Sequence, residues 1–267
     1  MLYILLPAFN EEKALPLLLD EIYKTEIAIP FKIVVVNDGS TDLTKTVLSS
    51  YEQKHSNLKV LHHEKNKGLS RALLTGINYA LTNNHEESLN NLLETEDSVH
   101  SYDILITLDS DNTHPPDRIP LMIRKVIDGA DIVIASRFVE GGEQFGLGLF
   151  RRLLSWGAGK VMSFFFPIPG VKDYSCGYRA YSLPVLSRGM NFYKDSLIES
   201  SGFAGMVELL IKLAPFSREV AEIPLSLHYE RKCGRSKMKI LLTIKGYVEL
   251  IYRCKKIAGS TLEWAEE

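Results

Sequence analysis

The chain is expected to fold as an α/β domain on a mostly parallel, Rossmann-like central sheet with flanking helices, and three observations carry that expectation. Short continuous apolar runs recur at residues 2–6 (LYILL), 31–36 (FKIVVV), 58–62 (LKVLH), 104–108 (ILITL) and 131–135 (DIVIA), and read as strands, most of them buried on both faces. Stretches with helical apolar spacing separate them, the pattern of repeated strand–helix units. The runs also tend to end in polar, turn-forming residues, which places several loops at the carboxyl ends of the strands, where open α/β sheets bind ligands.

Residues 2–6 run directly into PAFNEE, where Pro7 and Asn10 stop the strand and Glu11 and Glu12 suit the positive end of a helix over residues 14–23. Residues 31–36 end in NDGSTD (37–42), whose Ser, Thr and Asp can cap a helix over residues 43–53. After the third strand, Asn66, Lys67 and Gly68 open a helix to about Leu81. Residues 82–103 carry six acids and no Lys or Arg, so they read as a solvated acidic insertion, with room for a short helix over residues 89–93. A helix over residues 117–128 follows the fourth strand, and the fifth ends in Ser136-Arg137. The catalytic unit is expected to span residues 1–239, with an amphipathic C-terminal helix and tail over 240–267.

A length of 267 residues with 45% hydrophobic and 24% charged residues supports a sizeable core. A net charge of −2 provides no general pull toward nucleic acid, so none is expected as a partner. Cys176, Cys233 and Cys254 lie far apart with no CxxC spacing, which argues against a disulfide framework or zinc site and fits the reducing cytosol. The N-terminus has no basic leader, and the apolar stretch 146–171 is interrupted by Arg151, Arg152, Lys160, Pro167 and Pro169. No membrane-spanning helix is expected.

The chemistry centres on LDSDNTHPP (108–116). In an extended or tightly turning backbone, residues two apart point the same way, so Asp109 and Asp111 can converge on one hard divalent cation, Mg²⁺ or Mn²⁺. The competing reading is that the acids only end the strand, with Thr113, His114, Pro115 and Pro116 as further breakers. Neither GxGxxG after the first strand nor GxxxxGK[ST] is present, so a dinucleotide fingerprint and a P-loop are excluded. A cation on the two aspartates, helped by Arg and Lys, would neutralise a departing diphosphate, which is the logic of transfer from a nucleotide-activated donor.

PAFNEE, VNDGSTD, NKGLSRAL, LDSDNTHPP and ASRFVEGGE, in this order, resemble the GT-A glycosyltransferases of family two, and within them the dolichol-phosphate mannose synthases and other polyprenyl-phosphate glycosyltransferases. The resemblance covers roughly residues 2–239. It implies that Pro7, Ala8, Asn10 and Glu12 surround the nucleotide, that Asp38 reaches its base or ribose, and that Asp109 and Asp111 hold the metal and diphosphate. Helix capping is the alternative for Asp38. Thr113 stands where relatives often carry Gln, and Cys176 where they usually carry Ser, in the segment Asp173-Tyr174-Ser175-Cys176-Gly177-Tyr178-Arg179.

The resemblance places Asp173 against the acceptor and donor sugar. With a hydroxyl acceptor it would serve as general base, whereas a phosphate acceptor is already anionic and needs none. Arg137 and Arg179 are candidate clamps for phosphate oxygens because guanidinium offers a bidentate fork; a surface ion pair is the alternative for each. Arg231, Gly234, Ser236 and Lys237 resemble the family's R-x-x-G-x-S-K loop, which closes over donor phosphates. Glu208, on an otherwise apolar helix, is a further candidate, against the reading of a partnered structural acid.

Between residues 228 and 256, nine basic residues face two acidic ones, and apolar helical stretches at 150–166 and 240–252 carry basic neighbours. Such helices suit a bilayer interface, the alternative being packing on the sheet. The expectation is an inverting, metal-dependent enzyme, cytoplasmic and peripheral at the cytosolic membrane face. It would move a sugar from a GDP-mannose or UDP-glucose type of donor to a polyprenyl or dolichyl phosphate. Transfer to a glycan or small-molecule hydroxyl, a noncatalytic nucleotide-sugar-binding subunit and a nucleotidyltransferase remain as rivals.

Overall fold

Strand β1 (Leu2–Ala8) is buried along almost its whole length, as a parallel strand covered on both faces requires. The computed structural model describes residues 1–91, 103–234 and 240–261. Helix α1 (Ala14–Lys24) buries Ala14, Leu15, Leu18, Leu19 and Ile22, one face at helical spacing. Then come β2 (Phe31–Asn37), α2 (Thr44–Lys54), β3 (Leu58–His62), α3 (Leu69–Asn91), β4 (Ile104–Thr107), α4 (Ile119–Ile127) and β5 (Ile132–Ser136). These elements match the strand–helix units expected from sequence, with one correction. Helix α3 continues to Asn91, so the first part of the acidic segment is helical; residues 92–102, which hold the rest of that insertion, lie outside the described residues.

The second half adds β6 (Glu143–Phe145), α5 (Leu149–Phe165), β7 (Arg179–Ser182), α6 (Leu183–Tyr193), α7 (Phe203–Leu213), β8 (Val220–Pro224), β9 (Ser226–His228) and α8 (Ile240–Thr261). The strands of this half are three to five residues long and lack the apolar runs of the first half, so periodicity does not reveal them. Among the described residues the main sheet runs β3-β2-β1-β4-β7-β5-β8, and β6 pairs with β9 in a separate two-stranded sheet.

Strands β1 to β5 run parallel, whereas β7 is antiparallel to both β4 and β5 between which it lies. That reversal builds the site. The carboxyl ends of β1, β2, β4 and β5 share one edge, and β7 begins at that edge, so the segment before Arg179 arrives beside the loops after Thr107 and Ser136. Residue pairing makes this concrete, with Arg179 opposite Thr107 on one side and Ile134 on the other.

Close packing holds the edge. Gly76 of α3 faces Leu5 of β1 so closely that a Cβ would collide with the leucine. Gly39, at φ +66°, lies against the backbone of Lys65, where any side chain would clash and the left-handed conformation favours glycine. Helix α8 packs against α7 and α5 and so joins the body that the sequence assigned to the catalytic unit.

Candidate active site

Beyond β4 the chain turns sharply, and the odd and even positions separate. Ser110 is buried and donates to the Pro7 carbonyl at 2.7 Å, while Asp109 and Asp111 face the cleft, with about a third of the Asp109 side chain exposed. Asn112 sits at φ +63°, the left-handed region that Asn tolerates. The Thr113 hydroxyl donates to Asp111 Oδ1 at 2.7 Å, so the residue standing in place of the common Gln is spent on orienting the second carboxylate.

Lys232, at the end of the run that follows β9, places its ammonium on Asp111 Oδ2. This run is anchored by the His228 amide, which donates to the Thr113 carbonyl at 3.0 Å. Burial pushes the Asp109 carboxyl above the usual carboxylate range. Burial also acts on Asp111, but the Lys232 ammonium and its hydrogen bond outweigh it and hold that carboxyl below the usual range. Two adjacent carboxylates with opposite shifts, one of them already holding a cation, form an oxygen-donor pair suited to a hard divalent ion.

Arg137, just past β5, forms a bidentate pair with Asp173. Its Nε and Nη2 lie 2.7 Å from Asp173 Oδ2 and Oδ1, and Nη2 also donates to Ser175 Oγ at 2.6 Å. Asp173 is fully buried and also accepts from the backbone amides of Arg137, Ser175 and Cys176. Burial would push its carboxyl up, but Arg137 outweighs that and holds it below the usual range. Both Asp173 oxygens meet Arg137 and backbone amides, an arrangement that suits orienting Arg137 more than serving as a base. The Cys176 thiol beside it is pushed up to about 12 by burial and stays protonated at neutral pH.

A cavity of about 210 Å³ opens over the two aspartates, and Arg137, Arg151 and Lys232 contribute positive charge to its wall. Among the described lining residues only Asp109 and Asp111 are acids. Arg151 Nη1 donates to the Tyr229 hydroxyl at 2.6 Å, fixing both at the rim.

Other expected residues lie elsewhere. Pro7, Ala8, Asn10, Glu12 and Asp38 do not line this cavity; Ala8, Asn10, Glu12 and Asp38 interlock the first two strand-end loops. Asn10 Oδ1 accepts from the Thr41 amide at 2.8 Å, Glu12 Oε2 accepts from the Leu43 amide at 2.9 Å, and the Ala8 carbonyl accepts from the Asp38 amide at 2.8 Å. Asp38 Oδ1 and Oδ2 accept from the amides of Lys67 and Gly68, each at 2.8 Å, and Oδ1 lies 2.6 Å from His63 Nδ1. Its carboxylate braces the loop before α3.

Arg179, expected as a phosphate clamp, turns inward instead. It is fully buried, and its guanidinium donates to the carbonyls of Met206 at 2.5 Å and Tyr174 at 2.6 Å, so no phosphate reaches it. Arg231 points away from the cavity, 3.4 Å from Glu21 on α1. Ser236 and Lys237 lie outside the described residues. Glu208 is buried, 2.7 Å from Lys212, and accepts from the amides of Glu199 and Ser200, which supports the structural reading.

Sequence reasoning gave no site role to Lys232, Arg151, Ser175, Tyr229, Tyr247 or His114. Lys232 was hidden within a charge run and His114 within a run of breakers; for the others no local signal existed.

Helices α5 and α8 flank a second, apolar groove of about 470 Å³, whose walls include Leu153, Val161, Met162, Val248 and Ile251. Groove and cavity share Leu154, Ala158, Ile244 and Tyr247, so one leads into the other. Along the same helices Leu149, Trp156, Phe164, Leu242 and Tyr252 are exposed, Phe164 at 80% and Tyr252 at 88%. Among the described residues no helix is long and apolar enough to cross a membrane.

The family profile described as "Glycosyl transferase family 2" matches residues 3–190. The undecaprenyl-phosphate mannosyltransferase of Micrococcus luteus is 28% identical over 235 residues, covering 88% of this chain and 86% of its own length. The dolichol-phosphate mannosyltransferase of Pyrococcus furiosus is 31% identical over 257 residues; these cover 96% of this chain and 64% of that relative, so the chain spans less than two thirds of its length. Among solved structures, the glucosyl-3-phosphoglycerate synthase from Mycobacterium tuberculosis, in complex with Mn²⁺, UDP and glucosyl-3-phosphoglycerate, matches with a TM-score of 0.59 and 19% identity. That match covers 94% of this chain and 77% of the other, a likeness of the GT-A fold.

Proposed function

The chain belongs to glycosyl transferase family 2, and from that premise we propose that it transfers a hexose from a nucleoside-diphosphate donor to a polyprenyl phosphate. Mannose from GDP-mannose is the leading pair because the similar curated proteins are named as mannosyltransferases; glucose from UDP-glucose is the second. One observation carries the acceptor assignment. The cavity over Asp109 and Asp111, with Arg137, Arg151 and Lys232 on its wall, continues into the apolar groove between α5 and α8. A phosphate with a long hydrocarbon chain fits such a polar head and apolar trough.

Asp109 and Asp111 fit a divalent cation, Mg²⁺ or Mn²⁺, because they are hard oxygen donors at one strand end and the Lys232 ammonium already rests on Asp111. When bound, the ion supplies positive charge at the leaving diphosphate. The side chains account for the remaining work. Lys232 and Arg151 attract phosphate oxygens, and Arg137, held by Asp173 and Ser175, offers a guanidinium edge fixed in direction. In the transfer, an anionic oxygen of the lipid phosphate attacks the anomeric carbon as the bond to the diphosphate breaks, inverting the configuration. No proton has to be removed from that nucleophile, which suits a cavity whose only acids among the described lining residues are the proposed metal ligands.

The exposed apolar residues of α5 and α8 would rest in the headgroup region of a membrane, on the cytosolic side where a nucleotide-sugar donor is available. The test is nucleoside diphosphate release from a panel of nucleotide sugars, with and without Mg²⁺ or Mn²⁺ and a short-chain polyprenyl phosphate. Release that requires both metal and lipid phosphate is expected. Equal release with the dephosphorylated polyprenol, or with a soluble hydroxyl acceptor in its place, would refute the acceptor assignment.

A further inference from the structure

We infer that His114 supplies a nitrogen ligand, through Nδ1, to the divalent cation held by Asp109 and Asp111. The inference rests on the metal reading above and goes further by naming a third donor and its consequence for metal choice.

His114 is buried, with 5% of its surface exposed, yet among the described residues Nδ1 has no hydrogen-bond partner. A buried polar atom left unpaired forfeits the hydrogen bonds it made in water, so its position calls for a partner. Nδ1 lies 3.7 Å from Asp109 Oδ2. That is too far for a hydrogen bond and leaves only a loose ion pair if Nδ1 carries the proton, and it sets two electron-rich atoms face to face if it does not. A cation between them resolves both cases, since donor–metal distances of about 2.0–2.2 Å span the gap with the ion set off the line joining the donors.

The rest of the ring's surroundings favours the tautomer that a ligand needs. Nε2 faces Cys176 Sγ at 3.9 Å, so with its proton on Nε2 the ring donates weakly to sulfur and presents the Nδ1 lone pair to Asp109. Tyr178, 5.6 Å between ring centroids, packs against the imidazole and fixes its plane. Such outer contacts orient ligating histidines generally. Among the described residues no three His, Cys, Asp or Glu side chains converge as a ready-made metal group. Asp111 is instead turned to Lys232 and Thr113, so the set closes when Lys232 leaves the carboxylate. A donor set with one nitrogen and two carboxylates favours Mn²⁺ over Mg²⁺ more than an all-oxygen set does.

The test uses the full chain, Mn²⁺ as the probe, alone and with GDP or UDP, and electron paramagnetic resonance as the readout. Free Mn²⁺ is counted in a titration, and pulsed measurements report nitrogen coupled to the bound ion, with ¹⁵N-histidine protein separating histidine from nucleotide nitrogen. Wild type is expected to show histidine nitrogen coupling. His114→Leu should lose it and raise the Mn²⁺ dissociation constant at least about tenfold, the loss typical of even an outer contact. His114→Gln, which retains polarity at the position and guards against a folding defect in the first variant, should also lose the coupling and shift relative affinity toward Mg²⁺. Bound Mn²⁺ without histidine coupling in wild type, or coupling that persists in His114→Leu or His114→Gln, overturns the inference while leaving Asp109 and Asp111 as ligands. Undiminished Mn²⁺ binding by Asp111→Asn, or no binding by wild type, overturns the underlying metal reading and the inference with it.

Discussion

Replacing Asp173 with Asn separates the two roles that the residue can have. In the structure Asp173 is fully buried, forms two 2.7 Å bonds to the Arg137 guanidinium and accepts three backbone amides. The amide of Asn turns a donor toward a guanidinium that has only donors, and leaves the Arg137 charge buried without its counter-ion. Breaking one side of a buried pair costs about 3–5 kcal/mol, and at about 2–4 °C per kcal/mol for a protein approaching this size the melting temperature should fall by roughly 6–20 °C. With its orienting partner gone, Arg137 should hold the acceptor phosphate less well. The KM for polyprenyl phosphate should rise about 10- to 100-fold, equivalent to about 1.4–2.7 kcal/mol. Acceptor-saturated turnover should fall by much less than the 10²–10⁴-fold, roughly, that a general base contributes. Thermal unfolding, followed by steady-state kinetics at a temperature where the variant is folded, reads all three. A variant as stable as wild type whose turnover at saturating acceptor drops a thousandfold would refute the positioning role and restore the base.

The same carboxylate gives a pH signature. Its folded-state pKa lies below its unfolded value, so it contributes stability that is complete above about pH 4 and is lost as pH falls through the depressed value. Urea midpoints measured from pH 7 to 3 should fall at the acid end, and less steeply in Asp173→Asn. Lys232→Met removes the ammonium from Asp111 and from the cavity wall; donor KM should rise roughly tenfold or more, the effect of about 1.4 kcal/mol, while unfolding shifts little, and unchanged donor KM would remove Lys232 from the site. Val248→Asp places a charge on the wall of the α5–α8 groove. It should raise KM for long polyprenyl phosphates more than for a short-chain analogue and weaken vesicle flotation; equal effects on both acceptors would show that the groove does not hold the chain.

Much of the fold was legible because its first half obeys local rules. Unbroken runs such as residues 33–36 can only be buried, and turn formers at 37–42 and 109–116 mark where the buried strands end. The second half was harder to read because β7 and β8 are short and are set by pairing with distant strands rather than by their own pattern. Helix α3 runs past residue 81 because its last turns carry neither Pro nor Gly, and acidic side chains do not by themselves end a helix.

The sequence by itself determined the α/β class, the order of strand-end loops and the pair Asp109 and Asp111, all of which depend on neighbours a few residues apart. Tertiary structure alone decided which polar groups remain free to act. Asp173 is occupied by Arg137 from 36 residues away, Lys232 reaches Asp111 across 121, and His114 meets Cys176 across 62. Asp38 and Arg179 are consumed by backbone groups that the sheet edge brings to them. A carboxylate or guanidinium has the same identity in every sequence, but its charge state and availability depend on burial and partners, and these exist only once the chain has folded.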